Sequence, residues 1–298
     1  TLYGAKTGCP DAEDGTANGG CIGFELTQNL DFDTNANGEI DNRDDYRNIN
    51  LGGIAEGWLP IGDAWDNSFS ANFNGNGYVI KNLTINRAGL DGVGLFGYIN
   101  RASITNLAIG GINSLVVGKS RVGALVGSVR SDSQINGVSV GANVQGDSRV
   151  GGVIGSVTWN TRIEDVFVSG SVKGNEYVAG LIGYSFDTNN NSRNSISRTI
   201  STSIVVGNSR TGALVGYIHD TDIINSYWAK NASGQISSAG RSEANSYVGI
   251  DLTTLQCATA ENTDSSTGCV SVDGSGEGLN AAVVLYKDWN SAIWDFGI

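Results

Sequence analysis

The sequence predicts an all-β fold, a parallel β-helix or β-solenoid with three short strands in each coil of about 28 residues. Two observations predict it: a hydrophobic-glycine phrase returns five times, and the interval between its copies is nearly constant. The copies are Leu95-Phe96-Gly97, Leu125-Val126-Gly127, Val153-Ile154-Gly155, Leu181-Ile182-Gly183 and Leu214-Val215-Gly216. They lie 30, 28, 28 and 33 residues apart. Such a period is typical of stacked units that bury their apolar faces against their neighbours.

Each repeat contains three apolar pieces. In one repeat, residues 122–129 form the first predicted strand, residues 135–140 the second, and Val144 closes the unit before Gly146. Short segments rich in Val and Ile, separated by Gly, Asn, Asp and Ser, predict strands, and a glycine at the centre of every unit disfavours helix. The residues on both sides of the strand around that glycine are apolar or small. This pattern predicts that both faces of the first strand are covered.

A second phrase, Gly-x-Ser-Arg, recurs at predicted corners of the coil, beginning at Gly118, Gly146 and Gly207. We expect these glycines to supply the positive φ that reverses the chain. Stacking of the coils would place the arginines in one column, with a tyrosine taking the place between the second and the third. The column is Arg121, Arg149, Tyr177 and Arg210. We interpret it as arginine stems that cover a corner and pair with carboxylates, and a stripe for anions or glycans is the alternative.

Charge and hydropathy restrict the function classes. A net charge of −12 and a pI near 4.4 disfavour nucleic acid and anionic membranes as partners, since phosphate binding needs clustered Lys and Arg. No run approaches the roughly 18 apolar residues of a membrane span. The chain begins at Thr1, which is typical of a processed secreted chain and equally of an excised piece. We therefore predict a secreted protein, extracellular or on the cell surface.

Four cysteines bracket the repeats, Cys9 and Cys21 at the start and Cys257 and Cys269 at the end. Each pair is 12 residues apart, and among three possible pairings the local one has the simplest topology. Such bridges would stabilise each cap by about 3 kcal/mol and indicate an oxidising compartment, whereas the spacing does not fit zinc. The predicted organisation is a bridged cap at 1–60, a solenoid at 61–250 and a second bridged cap at 251–298.

Residues 33–44 have the oxygen spacing of a calcium loop, with Gly38 at the sharp turn. The candidate ligands of a structural Ca²⁺ are Asp33, Asn35, Asn37, Glu39 through its backbone oxygen, Asp41 and Asp44. An aspartate at the last position makes the loop similar to dockerin-type loops rather than EF-hands. The competing interpretation is an acidic, solvated turn.

Aromatic residues suggest a carbohydrate contact. Tyr98, Tyr184 and Tyr217 each follow the central glycine of a repeat, and Trp159 and Trp228 lie near later turns. Exposed rings of this kind stack on sugars, and simple packing is the alternative. The predicted partners are a glycan or protein of a cell surface or matrix, or further copies of this chain.

Catalytic residues are not predicted. The single histidine, His219, stands beside Asp220 without the partners of a nucleophilic triad. The groups that a polysaccharide lyase or hydrolase would use are Arg162, Glu164, Asp165, Glu176 and Asp187. These carboxylates do not recur as pairs in register, and solvated faces are the simpler interpretation.

The motifs Gly57-Trp-Leu-Pro-Ile-Gly62, residues 69–85 with their Gly-Asn-Gly turn, and the repeated Val-Gly-x-Leu-Val-Gly resemble bacterial secreted proteins that carry GLUG repeats. The similarity covers most of residues 22–250. It implies an extracellular β-solenoid of the kind found in surface adhesins and in non-catalytic regions of secreted proteases, and it transfers no catalytic residue. We therefore predict a non-catalytic structural or adhesive module, with a self-assembling fibre subunit and a polysaccharide lyase or hydrolase as the alternatives.

Overall fold

The computed structural model describes residues 23–39, 44, 56–188, 193–240 and 249–250. Within them the chain forms a parallel β-solenoid of about five turns, which confirms the all-β solenoid part of the predicted fold class. Three parallel sheets run along it: two sheets of five strands and one of 14. All four cysteines, and with them the predicted disulfide caps, lie outside the described residues.

Five short strands precede the full coils and lie on their first turn. They are β1 (Gly23–Glu25), β2 (Leu30–Asp31), β3 (Asn72–Asn74), β4 (Val79–Lys81) and β5 (Thr84–Asn86). Strand β1 pairs in parallel with β3, and β2 pairs in parallel with β4. Strands β1 and β2 therefore cover one end of the stack.

The coils follow in order. The first contains β6 (Asp91–Val93), β7 (Phe96–Asn100), β8 (Ser103–Gly110) and β9 (Leu115–Val117). The second contains β10 (Ser120–Val122), β11 (Val126–Arg130) and β12 (Gln134–Gln145), and the third contains β13 (Ser148–Gly151), β14 (Ile154–Thr158) and β15 (Arg162–Lys173).

The fourth contains β16 (Glu176–Ala179), β17 (Ile182–Phe186), β18 (Asn194–Ser201) and β19 (Ile204–Val206). The fifth contains β20 (Ser209–Gly212), β21 (Val215–His219), β22 (Thr221–Ile224) and β23 (Tyr227–Ala229), and then come α1 (Lys230–Ser233) and β24 (Gly249–Ile250).

We call the sheet of β6, β10, β13, β16 and β20 sheet I, the sheet of β7, β11, β14, β17 and β21 sheet II, and the 14-stranded sheet, which includes β12 and β15, sheet III. The repeats stack in the predicted phase. Val126 pairs with Ile154 in sheet II, and Ile135 pairs with Ile163 in sheet III. The first residues of the phrases after the first coil, Leu125, Val153, Leu181 and Leu214, are fully buried. Each such side chain contributes about 1.5–3 kcal/mol through burial.

The first predicted strand, residues 122–129, is interrupted. Strand β10 ends at Val122 and β11 begins at Val126, because the chain bends between sheets I and II. The second and closing pieces, in contrast, merge into the 12-residue strand β12. Both faces of β11 are covered as predicted, since Val126 to Val129 are all buried.

The central glycine of the phrase has a packing role. A Cβ added at Gly127 would collide with the backbone of Gly92 and Val93, and one at Gly155 would collide with the backbone of Arg121 and Val122. Sheets I and II therefore approach each other backbone to backbone at this column. A glycine is needed there because any side chain would occupy the position of the neighbouring strand.

The corner glycines do not take the predicted conformation. The left-handed residue of the corner is the arginine or tyrosine, with φ of 55° at Arg121, 56° at Arg149, 56° at Tyr177 and 50° at Arg210. The glycine that begins each phrase is required for space instead, because a Cβ at Gly118 would touch the valines packed beneath it. A left-handed residue with a side chain costs about 1–2 kcal/mol, and the stacked coils impose it at the same place in every turn.

Candidate functional site

Aromatic side chains, most of them partly exposed, cluster along sheet II. We call this cluster, with the arginine inside it, the aromatic face; its members are Trp65, Tyr98, Arg130, Trp159, Tyr184, Phe186, Tyr217 and His219. The five strands of sheet II read FGYIN, VGSVR, IGSVT, IGYSF and VGYIH, and they contain no Asp or Glu. In a chain with a net charge of −12, this sheet is locally free of negative side chains.

The guanidinium of Arg130 lies between two indole rings. Its Cζ is 4.2 Å from the ring centre of Trp159 and 5.0 Å from that of Trp65. Trp65, 37 % exposed, meets Tyr98 edge to face at 4.5 Å. This stack spans several coils, since Trp65 precedes the first coil, Arg130 ends a strand of the second and Trp159 follows a strand of the third.

A second group of rings occupies the fourth and fifth coils. Tyr184 and Tyr217 stack face to face at 4.9 Å with an interplanar angle of 10°, and Tyr177 meets both edge on. The paired faces of Tyr184 and Tyr217 are occupied by each other, and such contacts contribute about 0.5–1.5 kcal/mol. This arrangement favours packing between coils over sugar stacking for these two rings.

The predicted arginine column is confirmed by register. Ser120 and Val122 pair with Ser148 and Val150, which places Arg121 beside Arg149, and the tyrosine and last arginine follow in the same column. Arg121 forms an ion pair with Asp91 at 3.3 Å.

The other two arginines of the column contact aromatic rings. Arg210 contacts Glu176 and lies 4.8 Å from the ring centre of Tyr177. Arg149 lies 4.7 Å from the ring centre of Tyr184. Burial raises the pKa of the Tyr184 phenol, and the charge of Arg149 opposes that rise.

Of the five predicted sugar contacts, three are partly exposed: Trp159, Tyr184 and Tyr217. Tyr98 is only 7 % exposed, beneath Trp65. Trp228 is 2 % exposed and belongs to the hydrophobic core, which removes it from the surface. Sequence reasoning missed Trp65 because it precedes the first coil, and Arg130 because the neighbouring coils have Asn100 and Thr158 at its position.

A shallow polar cleft of about 230 Å³ lies at the corner between sheets II and III. Its lining residues are Asp132, Ser133, Gln134, Asn160, Thr161, Arg162, Arg193 and Ser195. Arg193 is already paired with Asp220 and Asp222, at 3.1 and 2.8 Å. Arg162 is 64 % exposed and only 3.8 Å from its nearest carboxylate, that of Glu164. Asn160, one of the lining residues, directly follows Trp159 in the sequence.

Side-chain oxygens of the predicted calcium loop accept backbone hydrogen bonds within the loop. The Asp33 carboxylate accepts from Gly38 N at 2.7 Å, and the side-chain oxygens of Asn35 and Asn37 accept from backbone amides two residues on. Asp44 is buried and accepts from Thr34 N at 2.7 Å.

These contacts suit the conformation that would present oxygen ligands to Ca²⁺. One candidate, Asp41, lies outside the described residues, and the described residues contain no group of three or more acidic, His or Cys side chains placed to hold a metal.

The carboxylates considered for catalysis make contacts between coils. Asp165 is 3 % exposed and accepts two hydrogen bonds of 2.8 Å, one from Nε and one from Nη2 of Arg198. The same Nη2 lies 3.4 Å from the carboxylate of Glu164. The hydrogen bonds to Asp165 raise the pKa of Arg198, with its burial opposing the rise. Arg162, at 3.8 Å from Glu164, completes this group.

Asp187 and His219 also hold neighbouring coils together. The carboxylate of Asp187 is buried and accepts from Asn160 N at 2.9 Å, while its backbone oxygen lies 3.0 Å from His219 Nδ1. The same imidazole lies 3.4 Å from the carboxylate of Asp220. Both side chains therefore have structural contacts that explain their positions.

Comparison with known proteins gives partial similarities. No family model matches the sequence. A stretch of 73 residues, 24 % of this chain, is 38 % identical to halomucin of Haloquadratum walsbyi and corresponds to 1 % of that protein. A protein of Bacteroides ovatus described as a "putative immunoglobulin A1 protease" aligns over 76 % of this chain and 74 % of its own, with a TM-score of 0.42 and 14 % identity. No helix among the described residues is long and apolar enough to cross a bilayer.

Proposed function

We propose that this chain is a non-catalytic adhesive or structural module of a secreted or cell-surface protein, one that presents a rigid solenoid to a glycan or protein partner. The observation that carries the proposal is the distribution of charged side chains among the sheets. The acidic groups suited to catalysis bind neighbouring coils, as Asp165 binds Arg198. Sheet II, free of carboxylates, presents rings and arginine instead.

The module gains rigidity from its ends as well as its coils. We include in the proposal a structural Ca²⁺ in the loop of residues 33–44 and disulfides that join Cys9 to Cys21 and Cys257 to Cys269. The described hydrogen bonds of Asp33 and Asp44 support the calcium part. Ordered ends protect a solenoid, because an uncovered last coil is an open sheet edge.

The test is a binding panel of immobilised matrix proteins and polysaccharides, with turnover measured on the same polysaccharides. We expect saturable binding to one class of surface ligand and no new reducing ends or unsaturated uronates. A turnover signal would replace the proposal with the lyase or hydrolase. Sedimentation over a range of protein concentrations separates the fibre subunit, which predicts polymers that grow with concentration, from a monomeric module.

A further inference from the structure

We infer that the aromatic face, together with Arg149 of the adjoining corner, binds a linear acidic polysaccharide, whose uronate carboxylates contact Arg130 and Arg149 and whose pyranose rings stack on Trp159 and Trp65. This inference rests on the proposed adhesive function and names its ligand class. Four observations carry it: the charge of sheet II, the two arginines, the two indole rings and the adjacent polar cleft.

The charge distribution favours an anionic ligand at this place. Sheet II has no carboxylate in any of its five strands, and Arg130 and Arg149 form no ion pair with the residues that the structure describes. By contrast Arg121 and Arg210, in the same column as Arg149, have Asp91 and Glu176 as partners. Two guanidiniums without a carboxylate partner, that of Arg130 over Trp159 and that of Arg149 over Tyr184, suit a ligand with repeated carboxylates.

The indole rings favour a saccharide over other polyanions. Arg130 occupies one side of Trp159, and among the described residues no ring stacks on its other side. Trp65 is the most exposed aromatic ring of the aromatic face. An indole held in place by a guanidinium is rigid and loses little freedom when a sugar ring stacks on it. The tyrosines of the fourth and fifth coils stack on each other and are excluded from this role.

The position of the charges orients the ligand. Asp63 and Asp66 are exposed on the loop that carries Trp65, and they disfavour a uronate at that end. The acidic sugars therefore lie over the second and third coils, and a neutral sugar or a chain end lies over Trp65. The polar cleft next to Trp159 supplies the exposed guanidinium of Arg162 for a carboxylate or hydroxyl of the same chain. Asp132 of the same cleft accepts a hydrogen bond of 2.7 Å from Asn160 Nδ2 and suits a sugar hydroxyl.

The experiment is calorimetric titration of the intact chain with three probes: a galacturonic acid hexamer, a neutral cellohexaose and a poly-glutamate of matched charge. We expect the galacturonate to bind at least about tenfold more tightly than the others, with an affinity that falls as salt rises. Equal binding of galacturonate and cellohexaose would overturn the acidic part of the inference, and equal binding of poly-glutamate would overturn the saccharide part.

Three variants locate the site. Arg130→Gln and Trp159→Ala should each weaken galacturonate binding about tenfold, because they remove a charge-assisted contact and a stacking platform. The matched control is Lys173→Gln, which removes an exposed cation at the last residue of β15 in sheet III, and it should bind like the parent. Trp159→Tyr keeps a ring and should recover part of the affinity, which separates loss of stacking from loss of folding.

The outcomes distinguish this inference from the function on which it rests. If the binding panel finds a ligand whose affinity is unchanged in Arg130→Gln and Trp159→Ala, the adhesive function stands and the aromatic face is not its site. If no glycan or protein of the panel binds, both fall together.

Discussion

Arg198 donates two hydrogen bonds of 2.8 Å to the carboxylate of Asp165 in the preceding coil. Asp165 and Arg198 are both left-handed, with φ of 54° and 51°, and they occupy one column of sheet III. A bidentate pair with a buried carboxylate thus joins two coils at a point where each backbone is strained. Charge here serves cohesion between turns.

We expect Asp165→Asn to lower the free energy of unfolding by about 1–3 kcal/mol, because it leaves the guanidinium of Arg198 without its bidentate acceptor. Urea denaturation measures the loss. Arg162→Gln, which removes an exposed arginine 3.8 Å from Glu164, should change stability by no more than about 0.5 kcal/mol. Equal losses in the two variants would contradict the role of this pair.

Gly155→Ala should destabilise the fold by about 1–3 kcal/mol or prevent folding, because its Cβ would overlap the backbone of Arg121 and Val122. Gly110→Ala is the matched control, since nothing lies within 4 Å of a Cβ at that position. Thermal denaturation of the two variants compares them directly. If Gly155→Ala unfolded at the temperature of the parent, the backbone-to-backbone contact between sheets I and II would not be needed.

Calcium should raise the melting temperature, and a chelator should lower it again. A ligand present at 100 times its dissociation constant stabilises the folded state by about 2.7 kcal/mol. Asp33→Ala should abolish the response, whereas Asp147→Ala, which removes an exposed corner carboxylate far from the loop in sequence, should leave it intact. A calcium response that survives in Asp33→Ala would place the ion elsewhere.

Stability should fall as the pH rises above about 10. Burial raises the pKa of Tyr98, Tyr184 and Tyr227, so the folded state holds these protons at a pH where the unfolded chain releases them. The stabilisation is complete below the ordinary tyrosine pKa and is lost as the pH rises through the folded-state values. Urea denaturation at a series of alkaline pH values measures the slope, and Tyr184→Phe should reduce it. A slope unchanged by that substitution would remove Tyr184 from the effect.

Repetition made the stack predictable from the sequence. The phrase at Leu125, Val153 and Leu181 recurs at nearly equal intervals, and parallel pairing converts equal intervals into columns, including that of Arg121 and Arg149. Backbone conformation within a column was less predictable. Glycine tolerates a positive φ, yet neighbouring coils impose that conformation on Arg121 and use Gly118 to make space for valines.

The aromatic face was predicted only in part, for a physical reason. Tyr184 and Tyr217 follow the repeated glycine and are visible in the pattern. Trp65 and Trp159 come together through Arg130. Trp65 precedes the first coil, and the other two residues lie in different coils at positions that do not repeat. Their contact depends on side-chain length and direction, which spacing alone does not specify. The exposed fraction of Trp228 likewise depends on the coil that packs over it.

Because each turn pairs with the turns directly before and after it, a load pulling the two ends apart is borne by one layer of interstrand hydrogen bonds at a time. When one turn detaches, the stack becomes about 4.8 Å shorter. The detached turn releases about 28 residues, which extend to roughly 95 Å. Under such a load the module would lengthen in discrete steps, which would suit the proposed adhesive function.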